Sequence, residues 1–256
     1  MRLASRALVL LAAVALLAWG LVWLARGPWF AFKRLTVQGE LMHNSVASLR
    51  NQVLGQLQGG YFTLDLQSAR AAFETAPWVR QAQVRRVWPD QLVVRLEEHQ
   101  PRAVWEQLDG EDQLVNTLGE VFDGNAADLD DSLANSLPVL RGPNGSAPQM
   151  LAMHTRLAPL FTPLGAELRH LEMSERGSWR ATLASGAVLE LGRGEPAEVE
   201  QRTHRFVASV AEVSNRLGRR AVESADLRHT EGYALKLVGM GTREVAKRGA
   251  APVKTP

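Results

Sequence analysis

Residues 7 to 25 form an unbroken run of nineteen uncharged, mostly apolar residues, bounded by Arg2 and Arg6 on one side and Arg26 on the other. About 20 apolar residues cross the hydrocarbon core of a bilayer as a helix, so the run predicts a single transmembrane helix. A cleaved signal sequence fits less well. Its apolar stretch is about 7–15 residues long and ends at a small-residue site, whereas here Ala13-Val14-Ala15 lies inside the run. Trp19, Trp23 and Trp29 cluster near the distal end, where amphipathic rings favour the membrane interface. The head, residues 1–6, is too short for a domain, so the folded mass lies beyond the span. Charge leaves the orientation open, because Arg2, Arg6 and the terminal amine oppose Arg26, Lys33 and Arg34.

Two patterned blocks follow. Phe32 to Gln38 reads as a strand ending at Gly39. Asn44 or Ser45 can cap a helix that carries Val46, Leu49, Val53 and Leu57 on one face. Gly59-Gly60 ends it, and Asp65 caps a second helix over Leu66 to Thr75, with Pro77 just beyond. Gln81 to Trp88 and Leu92 to Glu97 then alternate with period two about a Pro89-Asp90 turn, which predicts a hairpin. The order is β-α-α-β-β, and a small sheet with both helices on one face would bury both apolar stripes.

The second block begins at Pro101. Ala103 to Gln107 and Gln113 to Phe122 read as strands, the latter broken by a turn at Asn116 to Gly119, and 123–136 reads as a polar, acidic loop. Ser146-Ala147-Pro148-Gln149 has the form of a capping box, opening a helix with Met150, Met153, Leu157 and Leu160 on one face. Trp179 to Leu183 and Ala187 to Leu191 alternate about Ser185-Gly186. Gly194-Glu195-Pro196 opens a long helix with the clearest apolar stripe of the chain, Val199, Thr203, Phe206, Val210, Val213 and Leu217, stopped by Gly218. A final strand pair is expected over Ala225 to Leu237, turning near Glu231-Gly232. The last nineteen residues, 238–256, are rich in glycine, alanine, proline and basic side chains and read as disordered.

Composition narrows the function. The chain is 46% hydrophobic, carries a net charge of only +2, and shows no basic stripe of the kind that nucleic-acid binding needs. It has no cysteine, which removes disulfides and thiol chemistry. Its six histidines (His43, His99, His154, His170, His204, His229) form no zinc-ligand spacing, and no serine-hydrolase elbow is present. Gly192-Arg193-Gly194 precedes a helix, but it lacks a longer glycine-rich loop and Glu195 would repel an anion. Glu97 and Glu98 are adjacent on a strand and point to opposite faces, a poor acid/base couple. No constellation argues for an enzyme, a cofactor or a metal.

An N-terminal anchor, a β-α-α-β-β module and a β-rich block together resemble the bacterial cell-division FtsQ/DivIB family, the module resembling a POTRA domain. The run from Trp88 through Glu97-Glu98-His99-Gln100-Pro101-Arg102-Ala103 to Trp105 is close to the family's hairpin-to-β-domain junction. Trp179-Arg180 through Leu191-Gly192-Arg193-Gly194 is similar to a second family block, and Asp226-Leu227-Arg228 followed by Gly232 to a third. The resemblance covers about residues 7 to 237.

It implies an α+β chain: a short cytoplasmic head (1–6), a transmembrane helix (7–25), a POTRA domain (30–98), a β domain of an open sheet packed with helices (99–237), and a tail (238–256). It implies a single-pass type II protein of the bacterial inner membrane, with its bulk in the periplasm, concentrated at the division septum. It implies no catalysis, and a scaffold that recruits the FtsB–FtsL pair and meets other division proteins through its POTRA domain and membrane helix. The partner-contact region of the family carries over to Arg193, His229, Gly232, Tyr233, Leu235 and Leu237. A partner would add as a further strand at the open sheet edge. His229 stands where many relatives have tyrosine and Leu237 where tryptophan is familiar, which reduces aromatic anchoring. The alternative reading is a POTRA-bearing transport or envelope-assembly component. It would require a many-stranded transmembrane barrel after the module, for which the remaining chain is too short.

Overall fold

The computed structural model describes the chain from Arg2 to Gly239 except residues 26–29, 40, 44, 56, 58, 108–109, 217–219 and 230–231. It divides into two compact units, Met1–Leu137 and Pro138–Pro256. The stop expected at Gly218, the stripe's last member Leu217, and the tail beyond Gly239 lie outside the described residues.

The first unit opens with helix α1, Arg2–Ala25. Its side chains are described continuously only from Leu10 to Gly20. Among the described residues, no helix is long and apolar enough to cross a membrane.

Next come β1 (Arg34–Gln38), α2 (Val46–Leu54), α3 (Leu66–Glu74), β2 (Val79–Val87) and β3 (Gln91–Glu98). They form the expected β-α-α-β-β module. The three strands lie in the order β1-β3-β2, with β3 parallel to β1 and antiparallel to β2. Ser45 caps α2 by accepting from the Ser48 amide, and Asp65 caps α3 by accepting from the Gln67 amide. The cap interactions, led by the Ser68 hydroxyl, hold the Asp65 carboxyl below its ordinary range. Leu49 and Val53 from α2, Phe73 from α3, Ala82 from β2, and Leu92, Val94 and Leu96 from β3 close one core. Gly39 lets the chain leave β1: its φ is +140°, and a Cβ there would lie 2.3 Å from the Leu96 carbonyl oxygen.

The first unit continues with β4 (Pro101–Trp105), β5 (Gln113–Asn116) and β6 (Val121–Phe122), all antiparallel. The turn signal at 116–119 is realised by buried Asn116, whose side-chain oxygen accepts from the Leu118 and Glu120 amides at 2.9 Å each. The segment expected as an exposed acidic loop is instead a 3₁₀ turn, Ala126–Asp128, followed by helix α4, Asp131–Ser136. Leu129 and Leu137 bury against Trp78, Leu114 and Phe122. That apolar contact orders a segment whose charges face water.

The second unit comprises β7 (Val139–Arg141), α5 (Ala147–Phe161), β8 (Leu168–Met173), β9 (Trp179–Leu183), β10 (Val188–Gly192), α6 (Pro196–Arg216), β11 (Val222–Asp226) and β12 (Ala234–Leu237). Its strands run in the order β12-β11-β10-β9-β8-β7. Helix α5 joins the parallel pair β7 and β8, and α6 joins the parallel pair β10 and β11. The other neighbours are antiparallel. The two helices pack against each other. The capping box expected at Ser146 is not formed: the Ser146 hydroxyl donates to the Pro143 carbonyl at 2.6 Å instead. Phe161, rather than Leu160, completes the buried face of α5. Helix α6 buries Val199, Thr203, Phe206 and Val210 as its stripe predicts.

Candidate functional site

The site is built around β12, the terminal strand of the second unit's sheet. One side of β12 pairs antiparallel with β11, with Asp226 opposite Ala234, Ala225 opposite Leu235 and Val222 opposite Leu237. No strand pairs with its other side among the described residues. A row of main-chain donors and acceptors therefore faces outward from this edge.

The register decides which side chains such an edge presents. Leu235 shares a face with Ala225 and, through β10, with Leu189, both buried. Leu237 is only 1% exposed. Tyr233, two residues before Leu235, meets α6: its ring lies edge-on to Phe206 at 5.1 Å, and its hydroxyl is 2.9 Å from the Ser209 hydroxyl. Tyr233, Leu235 and Leu237 thus seat the strand on its own unit, while Ala234 and Lys236 face out. Of the six residues expected to contact a partner, these three pack on their own unit and position the strand.

Arg193, His229 and Gly232 are exposed, and His229 and Gly232 lie in the chain leading into β12. Arg193 lies in the turn between β10 and α6, and its carbonyl accepts from Arg202 Nη2 at 2.5 Å. The neighbouring Gly192, at φ +79°, packs so closely that a Cβ would lie 3.0 Å from Arg228 Cγ. His229, Gly232 and Tyr233 line a cleft of about 200 Å³ with Arg202, Arg205 and Phe206. The result is a cationic corner above an aromatic floor, suited to an acidic side chain. Arg202 was not singled out in the sequence. Its signal is position alone, two turns into α6, from where it reaches back to cap the Arg193 turn.

On the outer face a ladder of alternating charge runs across the sheet. Arg180 bridges Glu190 at 2.7 Å and Glu172 at 3.4 Å. Asp226 is gripped by Arg228, with Nε to Oδ1 at 2.9 Å and Nη2 to Oδ2 at 2.6 Å, and also accepts from the Arg228 amide. Lys236 pairs with Glu223 beside it. The Arg228 guanidinium holds the Asp226 carboxyl down to about 2, against an ordinary 3.8. Because the folded value is depressed, the pair's stabilisation is complete above the unfolded pKa and disappears as pH falls through about 2. Asp226→Asn is therefore expected to lower the melting temperature modestly at neutral pH. Its deficit should shrink between pH 4 and 2 and be gone below that. Thermal melts of both proteins across this window check it; a deficit that persists undiminished at pH 2 would remove the ion pair as its source.

Among the described residues no group of three His, Asp or Glu side chains could hold a metal ion.

Residues 30–99 match the family model "POTRA domain, FtsQ-type", and residues 103–228 match "Cell division protein FtsQ/DivIB, C-terminal". The class is a POTRA module joined to a division-protein C-terminal region. Relatives over most of this chain bear the name cell division protein FtsQ. That of Burkholderia pseudomallei is 39% identical over 94% of this chain and 93% of its own length. That of Bordetella pertussis is 36% identical over 98% and 96%, and that of Coxiella burnetii 30% identical over 92% and 91%. The chain belongs to the FtsQ family of cell division proteins.

Proposed function

We infer that this chain is a non-catalytic scaffold of the bacterial division machinery, anchored in the inner membrane by α1, with residues 30–98 (POTRA) and 99–237 (β domain) on the periplasmic side. Its central act is to take a strand from the periplasmic part of FtsB, in complex with FtsL, onto the free edge of β12. One observation carries the reading: among the described residues β12 ends its sheet, with Leu235 and Leu237 turned inward and no strand on its outer edge. Main-chain bonds to such an edge supply affinity, and the corner at Arg193 and His229 supplies selection. The anchor is supported by nineteen uncharged residues lying within one helix, Arg2–Ala25.

The test is a titration of the full chain in lipid nanodiscs with the periplasmic segments of its own FtsB and FtsL. Saturable binding is expected. Arg193→Glu should weaken it about tenfold, because a cation facing an acidic partner becomes a like charge. That loss should narrow as salt rises. Binding unchanged by Arg193→Glu at low salt would remove the corner from the interface.

A further inference from the structure

We propose that the end of the POTRA module nearest α1 seats in the lipid headgroup layer, with Phe62 and Trp88 as its apolar contacts and Lys33 and Arg34 beside the lipid phosphates. The inference rests on the reading of α1 as a membrane anchor.

Three loops meet at this end. The chain entering β1 passes Phe30, whose carbonyl accepts from the Tyr61 amide at 2.7 Å. The Phe62 ring lies edge-on to Phe30 at 4.9 Å and to Tyr61 at 5.2 Å. The turn between β2 and β3 is tied to the same place, since the Lys33 amide donates to the Asp90 carbonyl at 2.9 Å. Arg34 pairs with the Asp90 carboxylate at 3.1 Å, which cancels the acid that would otherwise repel phosphate. Lys33 is exposed.

Phe62 is 55% exposed and Trp88 72% exposed. The core of the module is closed without either ring. Two large aromatics left in water at one end, next to cations, have the composition of a membrane-interface belt. Chain length fixes which surface they meet. Only residues 26–29 separate Ala25 from Phe30, so Phe30 lies within about 18 Å of the end of α1 even if the link is fully extended. A headgroup layer is roughly 5–8 Å deep on each side of the hydrocarbon core. Trp19 and Trp23 on α1 extend the same belt from the membrane side. A protein partner at this end would have to fit within that short clearance, which favours lipid.

The absence of cysteine makes a clean test available. Single cysteines replace Phe62, Trp88, Leu118 or Leu16 in the full chain and carry a nitroxide. The protein is reconstituted in vesicles of two parts phosphatidylcholine to one part phosphatidylglycerol. Leu118 lies in the turn after β5, beside the far end of β3, roughly 25 Å from the Trp88 turn at ~3.3 Å per residue. Collisional access to oxygen relative to a water-soluble nickel chelate is read for each label. The Leu16 label is expected to be buried in lipid. The labels at 62 and 88 should show severalfold more oxygen preference than that at 118, and Lys33→Glu should reduce the difference. Labels at 62 and 88 that match 118 while Leu16 remains deep would overturn the docking and leave the anchor standing; the exposed rings would then belong to a protein contact. A Leu16 label open to nickel would overturn the anchor, and the docking with it.

Discussion

Leu235→Pro is expected to weaken partner binding by on the order of a hundredfold, about 2.8 kcal/mol. Proline removes a main-chain donor and fixes φ, so a strand carrying it loses a ladder bond and its neighbouring geometry. Each such bond is worth roughly 1 kcal/mol net, and a distorted edge forfeits more than one. Which bond is lost depends on direction. Successive amides of a strand point to opposite sides, so Leu235 and Lys236 send their N–H groups one toward β11 and the other outward. The pair Leu235→Pro and Lys236→Pro therefore separates two effects. Both should lose binding, but only one should lower the melting temperature, because only one breaks the pairing of Asp226, Ala225 and Val222 with β12. If both variants remain folded and bind normally, strand addition at this edge is wrong, and the partner sits elsewhere on the chain.

This dependence on backbone explains what could be read in advance. The hairpin of β2 and β3 was legible because a two-residue period marks a sheet with one wet face, and Ala82, Val84, Leu92, Val94 and Leu96 follow it. The stripe of α6 was legible for the same reason at helical period. β7 and β8 were not. Three residues, Val139–Arg141, are too few to show a period, and Leu168–Met173 is buried at Leu168, Leu171 and Met173, out of step with alternation. The turn into α4 was not legible because its acidic residues masked Leu129 and Leu137, the two apolar anchors that flank the helix. At the candidate site, residue types marked the last strand, but the facing of Tyr233, Leu235 and Leu237 follows from register with β11, a non-local fact. The reach of Arg202 back to Arg193 is likewise a product of the fold.

Phe206→Ala carries the other large effect. Phe206 is 1% exposed on the inner face of α6, beneath the start of β12. Deleting a buried phenyl ring costs about 3–5 kcal/mol, the transfer of the ring plus the cavity left behind. For a unit of this size that corresponds to a fall in melting temperature of roughly 10–20 °C. The loss is directional as well as large. Tyr233 would keep its hydroxyl contact to Ser209 but lose its ring partner, so the first residues of β12 would be held only by the β11 ladder and that one hydrogen bond. Amide exchange should therefore quicken more at 233–237 than in β8 or β9, and partner binding should fall below what the lost stability alone would cause at a temperature where the variant is folded. Phe206→Leu, which refills most of the cavity, should restore much of the melting temperature while leaving the Tyr233 contact impaired. If Phe206→Ala slows no binding and loosens β8 as much as β12, then α6 supports the sheet generally, and the inward side chains of β12 do not set the geometry of its free edge.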